Sequence, residues 1–183
     1  MLLRAERSFL AIVDVQERLA PAMATPEPTI ARCAILMRAA ARLGVPMLVS
    51  EQYPKGLGKT VPALAELAQP NDVVEKIHFS CTDEKAWDER LGVFDEAGRD
   101  QAVVCGMEAH VCVLQTALGL AEQGYRVAVV ADAVSSRRKE DAGLALARMS
   151  QAGLTVVSSE MVVFEWLRRA GTSEFKELSA LIK

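Results

Sequence analysis

The chain has 183 residues, of which 51% are hydrophobic and 25% are charged, and its formal net charge is -3. This composition is typical of a soluble globular protein, and the lack of a basic tail or a stripe of Lys and Arg argues against nucleic acid as a partner. No apolar stretch approaches the ~18 residues of a membrane-spanning helix, and the charged start of the chain does not fit a signal peptide. We therefore expect a cytoplasmic protein that does not contact a membrane.

Short apolar segments alternate with longer amphipathic segments along the chain. The short segments predict strands at residues 8–14, 45–50, 72–76, 101–106, 125–131 and 154–157. The longer segments predict helices at residues 29–43, 61–67, 83–91, 110–123, 139–151, 161–169 and 173–181. This alternation predicts an α/β fold for a single domain over residues 1–183: a mostly parallel, roughly six-stranded, doubly wound sheet in three αβα layers.

Polar residues at the ends of the predicted strands are the first candidates for function, because ligands of such folds bind outside the carboxyl ends of the strands. Asp14 and Lys76 would bring a carboxylate and an ammonium to one edge of the sheet. Either residue alone is weak evidence, since a strand-terminal Asp often caps a turn and a lone Lys is usually solvated. Asp132 is expected to cap the helix that follows it.

The four cysteines differ in their predicted surroundings, and nothing in their spacing indicates disulfides. Cys105 falls inside an apolar strand, Cys33 in the first helix and Cys81 in a loop. Cys112 falls in the first turn of a helix that follows a strand, where unpaired backbone N–H groups and the helix dipole stabilise a thiolate. Those N–H groups could also bind an oxyanion. Cys112 is therefore the candidate nucleophile, and a buried helix cysteine is the alternative.

Four stretches of the sequence resemble the isochorismatase-like cysteine hydrolases, which include nicotinamidases and N-carbamoylsarcosine amidase; they are residues 12–16, 50–58, 75–80 and 106–113. The loop at 50–58 is most similar to the isochorismatase domain-containing branch. The resemblance implies that Asp14, Lys76 and Cys112 form the family's catalytic triad. It also implies a cis peptide bond between Met107 and Glu108, an oxyanion hole made by the backbone amides of Glu108 and Cys112, and a homo-oligomer, either a dimer or a tetramer.

Two departures from the family pattern narrow the expected chemistry. Nicotinamidases carry a metal-binding Asp-x-His, whereas this chain has Glu51-Gln52-Tyr53 in that region, so we expect no metal and no other cofactor. True isochorismatases lack the nucleophilic cysteine, so Cys112 argues against vinyl-ether hydrolysis.

Four further residues are candidates for substrate binding: Gln16, Tyr53, Phe79 and His110. Gln16 could bind substrate or brace a loop, and Tyr53 and Phe79 could form an aromatic wall or simply pack within their loops. His110 is two residues from Cys112, and residues two apart on a helix do not face each other, which favours a role at the rim over a role as general base.

The predicted function is hydrolysis of a small amide or related C–N bond through a thioester, with a small molecule as the substrate. One alternative is an inactive or redox-responsive interaction protein on the same scaffold. Another alternative is a hydrolase or lyase that acts on a non-amide bond. The terminal helices, with Phe164, Trp166 and Leu167, are expected to pack against a second copy.

Overall fold

The computed structural model describes residues 1–182. Its strands are β1 (Ser8–Val13), β2 (Met47–Gln52), β3 (Val73–Lys76), β4 (Gln101–Met107), β5 (Arg126–Ser135) and β6 (Thr155–Val157). Its α-helices are α1 (Pro26–Leu43), α2 (Pro54–Leu57), α3 (Pro62–Ala65), α4 (Lys85–Glu96), α5 (Leu114–Glu122), α6 (Lys139–Gln151), α7 (Ser159–Leu167) and α8 (Ser173–Ser179). A π-helical turn (Ala109–Val113) precedes α5, and short 3-10 turns occupy Ala5–Arg7, Ala20–Ala22, Pro70–Asp72 and Cys81–Asp83.

The strands form one sheet in the order β3-β2-β1-β4-β5-β6, and every neighbouring pair is parallel. The chain starts in the middle of the sheet, builds one side with β2 and β3, and then returns to build the other side from β4 onward. The order therefore reverses between β1 and β4, which is where such folds bind ligands. The predicted α/β class with a doubly wound sheet is confirmed.

Helices cover both faces of the sheet, so the central strands are apolar without interruption. All positions of β1 and β4 are buried. Alternate residues of β1 point to opposite faces: Leu10 and Ile12 belong to the core beneath α1 and α7, whereas Phe9 and Ala11 belong to the core beneath α4 and α5.

The structure corrects one expectation about the terminal helices. Trp166 lies in the protein's own core, 3% exposed, and its indole Nε1 donates a hydrogen bond to the hydroxyl of Ser8 at 3.0 Å. The indole fills the space between α7 and β1, so it is not available to a second copy. Phe164, by contrast, is 40% exposed and lies beside the ring of Phe175.

A second correction concerns Asp132, which the sequence predicted to cap the helix after it. β5 continues past Asp132, with an irregular register opposite Val104 and Gly106, and the predicted strand end is therefore too early. The Asp132 carboxylate accepts hydrogen bonds from the backbone N–H and the hydroxyl of Ser159, at 2.7 and 2.6 Å, and so supports the start of α7, whose N-cap is Ser158. The sequence could not show this contact, because it joins residues from different elements.

Gly106 permits a close approach between the two central strands. A Cβ at this position would lie 2.0 Å from the backbone oxygen of Val13, and the residue has a φ of +123°. Only glycine combines that backbone angle with that contact at low cost. The end of β4 is thereby held against the end of β1, next to Asp14. Within residues 1–182, no helix combines the length and apolar character needed to cross a bilayer.

Candidate active site

The carboxyl ends of β1, β2 and β3 bring four polar side chains together. Asp14 directly follows β1, Ser50 and Gln52 lie on β2, and Lys76 is the last residue of β3. The parallel register pairs Gln52 with Lys76, and Ser50 lies opposite the residue that precedes Asp14. We call these four residues the acid–base edge.

Asp14 and Lys76 form an ion pair that solvent does not reach. The Lys76 Nζ lies 2.7 Å from Asp14 Oδ2, and both side chains are 0% exposed. The Ser50 hydroxyl donates to the other carboxylate oxygen, Oδ1, at 2.6 Å. Asp14 has a left-handed backbone with a φ of 53°, a conformation that Asp adopts more readily than most residues and that is common at functional sites.

Lys76 is surrounded by oxygen acceptors. Besides Asp14 Oδ2, its ammonium donates to Gln52 Oε1 at 2.7 Å and to the carbonyl oxygens of His78 and Phe79 at 3.1 and 3.0 Å. Burial lowers the pKa of Lys76, but the negative charge of Asp14 and its hydrogen bond to the ammonium act in the opposite direction, and the net pKa is raised. The side chain is therefore a charged ammonium whose three hydrogens are all engaged.

Cys112 differs from the other three cysteines in its exposure. It lies in the π-helical turn and retains 6% exposure, whereas Cys33, Cys81 and Cys105 are each 0% exposed. All four are free thiols. Of the four cysteines, Cys112 is the one with measurable exposure to solvent.

Two residues of the acid–base edge, Asp14 and Lys76, change the pKa of the Cys112 thiol in opposite directions. Burial raises the pKa of Cys112, the negative charge of Asp14 raises it again, and Lys76 lowers it by less. The net pKa is raised, which is opposite to the expectation from the helix N-terminus, because burial and Asp14 outweigh the nearby cation. The resting side chain is thus a neutral thiol at neutral pH.

Cys81 lies at the same site although its sequence context gave it no partner. Its backbone N–H donates to the hydroxyl of Thr116 at 3.0 Å, and burial, together with Asp14, raises the pKa of its thiol to about 12. Sequence reasoning also missed the contacts of Gln52 and Ser50. The signal was present in β2, since residues 50 and 52 share one face of a strand that ends beside Asp14.

Glu108 holds the start of the nucleophile segment, which we define as residues 108–113. Its carbonyl oxygen accepts hydrogen bonds from the backbone N–H groups of Val111 and Val113, at 3.0 and 3.2 Å. Its carboxylate, 7% exposed, is paired with the guanidinium of Arg137. The Met107–Glu108 peptide bond is cis, as the resemblance implies.

Gln16 is engaged with backbone groups rather than with open space. It is 0% exposed, its amide nitrogen donates to the carbonyl oxygens of Gln52 and Gly58, and its Oε1 accepts from the backbone N–H of Gln52. The three bonds are 3.0, 2.7 and 2.8 Å long. This arrangement fits the bracing role, and it leaves little of the side chain for a substrate.

Tyr53 and Phe79 lie at the surface beside Gln52 and Lys76, which we call the rim. They are 54% and 55% exposed, and Ile77 is 75% exposed. A cleft of about 370 Å³ is lined in part by Tyr53, Ile77 and Lys76. Cys112 is not among the described residues that line this cleft.

His110 is half-buried, and its Nδ1 lies 2.9 Å from the hydroxyl of Ser136. Its ring is thus tied to the loop between β5 and α6. Within residues 1–182, no cluster of three or more His, Cys, Asp or Glu side chains is arranged to hold a metal ion.

Comparison with known proteins decides the family. The family model of the Isochorismatase domain matches residues 8–161. The chain belongs to the isochorismatase family. Isochorismatase domain-containing protein 2A of Mus musculus is 39% identical over 181 residues, which span 97% of this chain and 84% of the mouse protein. The predicted resemblance to the isochorismatase domain-containing branch is therefore confirmed.

Solved structures of isochorismatase-family proteins share the fold. The MAR1 ribonuclease from Caenorhabditis elegans has a TM-score of 0.91 and 36% identity, covering 100% of this chain and 92% of its own. The YcaC gene product of Escherichia coli, described as an octameric hydrolase of unknown specificity, has a TM-score of 0.88 at 21% identity, with 99% and 90% covered. The isochorismatase family is a hydrolase superfamily, and this chain has its fold.

Proposed function

We propose that this protein is a cysteine-dependent hydrolase that cleaves a small amide or related C–N bond through a thioester intermediate. One observation carries the proposal. A fully buried Asp14–Lys76 ion pair, 2.7 Å long, acts on Cys112, the cysteine that solvent reaches. A buried ion pair costs desolvation energy, so one that shifts the pKa of a partly exposed thiol is a candidate for catalysis.

The steps follow from the protonation states. The Cys112 Sγ attacks the substrate carbonyl carbon, and its proton passes to the Asp14 carboxylate. The backbone amides of Glu108 and Cys112 stabilise the oxyanion that forms. Asp14 then gives the proton to the leaving amine as the C–N bond breaks, and water attacks the thioester to release the acid and restore the thiol.

Lys76 contributes a fixed charge in this scheme. Its three hydrogens already serve acceptors that include Asp14 and Gln52, so it has none to offer to a substrate. Its charge partly offsets the cost of ionising Cys112 next to a carboxylate. Ser50 and Gln52 keep the pair in place.

Substrate recognition is proposed for the rim. Tyr53 and Phe79 offer exposed aromatic faces, and His110 offers a ring nitrogen to a polar group. We place Gln16 among the bracing residues, because its hydrogen bonds to backbone already use its amide. A small, largely neutral amide fits a rim of this chemistry.

A nucleic-acid substrate is less well supported, although the related C. elegans protein is described as a ribonuclease. Phosphate chains bind to unpaired cations. The basic residues of the β5–α6 loop are paired instead, Arg137 with Glu108 and Arg138 with Asp141. We also propose a cytoplasmic location, and a homo-oligomer that uses the exposed Phe164, since the related E. coli protein is octameric.

Release of ammonia or amine from a panel of small amides tests the proposal. Cys112→Ala should abolish turnover, whereas Cys81→Ala, which removes a buried thiol at the same site, should retain most of it. Mass spectrometry of the quenched reaction should find the acyl group on Cys112. Turnover that survives in Cys112→Ala, or cleavage of an RNA included in the panel but of no amide, would overturn the proposal.

A further inference from the structure

The loop between β5 and α6 contacts the nucleophile segment at two points. Arg137 holds the carboxylate of Glu108, and the hydroxyl of Ser136, the residue before it, lies 2.9 Å from the Nδ1 of His110. Two adjacent residues of one loop therefore contact both sides of Ala109, just ahead of Cys112. The function proposed above gives no role to either loop residue.

The contact between Arg137 and Glu108 has three hydrogen bonds. The backbone N–H and the Nε of Arg137 donate to Glu108 Oε2 at 3.1 and 3.0 Å, and Nη2 donates to Oε1 at 3.1 Å. The guanidinium thus meets the carboxylate in a two-pronged geometry that fixes orientation as well as distance. Both carboxylate oxygens are used.

The two partners differ in exposure, so the loss of the contact affects the buried Glu108 more than the exposed Arg137. The Glu108 side chain is 7% exposed, whereas the Arg137 side chain is 64% exposed. A carboxylate that is buried without a cation must either protonate or move toward water. Without the guanidinium, Glu108 would be driven outward, and its backbone would follow.

The Glu108 backbone is also the backbone of the proposed oxyanion site. Its carbonyl oxygen is tied to the N–H groups of Val111 and Val113, so Glu108 cannot rotate without disturbing the turn that carries Cys112. We propose that Arg137 is a positioning residue, which acts through the Glu108 carboxylate to aim the oxyanion-binding amides at the acyl group. This inference rests on the proposed function, because it assumes acyl transfer to Cys112.

Two reagents separate this role from a general structural one. With p-nitrophenyl acetate, the Cys112 sulfur bonds to the acetyl carbon, the C–O bond to p-nitrophenolate breaks, and the thiol proton goes to Asp14; negative charge develops on the carbonyl oxygen. With iodoacetamide, the sulfur bonds to the methylene carbon as iodide leaves, and no oxyanion forms. A residue that aims oxyanion donors affects the first reaction and not the second.

We expect Arg137→Ala to slow acetylation of Cys112 by about tenfold to a hundredfold, since a small misplacement of oxyanion donors has effects of this size. Alkylation by iodoacetamide should change by less than about twofold. Arg137→Lys keeps the charge but loses the two-pronged contact, and Glu108→Gln keeps the shape but loses the charge, so both should fall between wild type and Arg137→Ala. Arg138→Ala is the matched control, because Arg138 pairs with Asp141 on the first turn of α6 and its side chain is 72% exposed.

The outcomes are distinct. Acetylation slowed in Arg137→Ala and unchanged in Arg138→Ala, with alkylation preserved in both, supports the inference. Equal slowing of both reactions would show a structural role and overturn it, as would an unchanged acetylation rate. If Arg137→Ala does not fold, Arg137→Lys and Glu108→Gln give the same comparison. Failure of the wild-type protein to be acetylated at Cys112 would instead overturn the proposed function.

Discussion

The two sides of the candidate site are built in different ways. The acid–base edge lies at the ends of three neighbouring strands, and both side chains of its ion pair are 0% exposed. The nucleophile segment lies on a π-helical turn, and its ion pair, between Glu108 and Arg137, is 7% and 64% exposed. A rigid sheet can fix charges away from water, whereas the nucleophile segment is held by a loop that reaches solvent.

The largest effect is expected from breaking the acid–base edge. Lys76→Met leaves the Asp14 carboxylate buried without its cation, and we expect it to lower the free energy of unfolding by about 3–5 kcal/mol. Urea denaturation measures this loss. Lys85→Met removes an ion pair that is 90% exposed at the lysine, and it should cost less than about 1 kcal/mol. A similar loss in both variants would mean that the burial of the Asp14–Lys76 pair has no energetic consequence.

The close approach of β4 to β1 at Gly106, which joins the two sides of the site, is the next most sensitive point. Gly106→Ala places a Cβ 2.0 Å from the Val13 oxygen at a φ of +123°, and we expect it to destabilise the fold by about 1–3 kcal/mol or more and to displace the nucleophile segment. Thermal unfolding and the rate of Cys112 labelling report the two effects. Gly143→Ala, in α6 and without a neighbour within 4 Å of the new Cβ, should be neutral or stabilising. Equal tolerance of both substitutions would contradict the close approach of β4 to β1.

The pH dependence of Cys112 alkylation measures how Asp14 and Lys76 of the acid–base edge shift the pKa of Cys112 in the nucleophile segment. Asp14 raises the pKa of Cys112 and Lys76 lowers it, so Asp14→Asn should lower this pKa and Lys76→Met should raise it. The midpoint of the pH profile of Cys112 alkylation by iodoacetamide should therefore move to lower pH in Asp14→Asn and to higher pH in Lys76→Met. Wild-type labelling should rise steeply in the alkaline range. Shifts of the same sign in both variants would exclude this electrostatic coupling.

The smallest effect should come from the contact between Asp132 and Ser159, which lies outside the acid–base edge and the nucleophile segment. Asp132→Ala removes two hydrogen bonds to Ser159 at the start of α7, while Ser158 still caps the helix, and we expect a loss of about 1 kcal/mol in the free energy of unfolding, with no change in Cys112 labelling. Thermal unfolding and iodoacetamide labelling measure the two. A change in labelling would show that the contact between Asp132 and Ser159 influences Cys112 from a distance.

Much of the fold followed from local patterns. The period of the apolar residues separated strands from helices, and continuous apolar runs such as residues 8–13 indicated strands covered on both faces. Strand ends placed Asp14 and Lys76 at one edge, and the resemblance to a family supplied a catalytic role for them. Boundaries were less accurate where tertiary contacts extend or shorten an element, as in β5, which runs on to Ser135.

The amino-acid pattern was enough to predict the α/β class and the shared edge of Asp14 and Lys76, and it offered Cys112 as the candidate nucleophile among four cysteines. The raised pKa of Cys112 could not be read from local patterns, because burial is a property of the packed molecule and here it outweighs the nearby cation. Likewise, only the fold brings Arg137 to Glu108, since the two residues are 29 positions apart and no periodicity links them. Local patterns fix where side chains point along an element, but contacts between elements depend on how those elements pack.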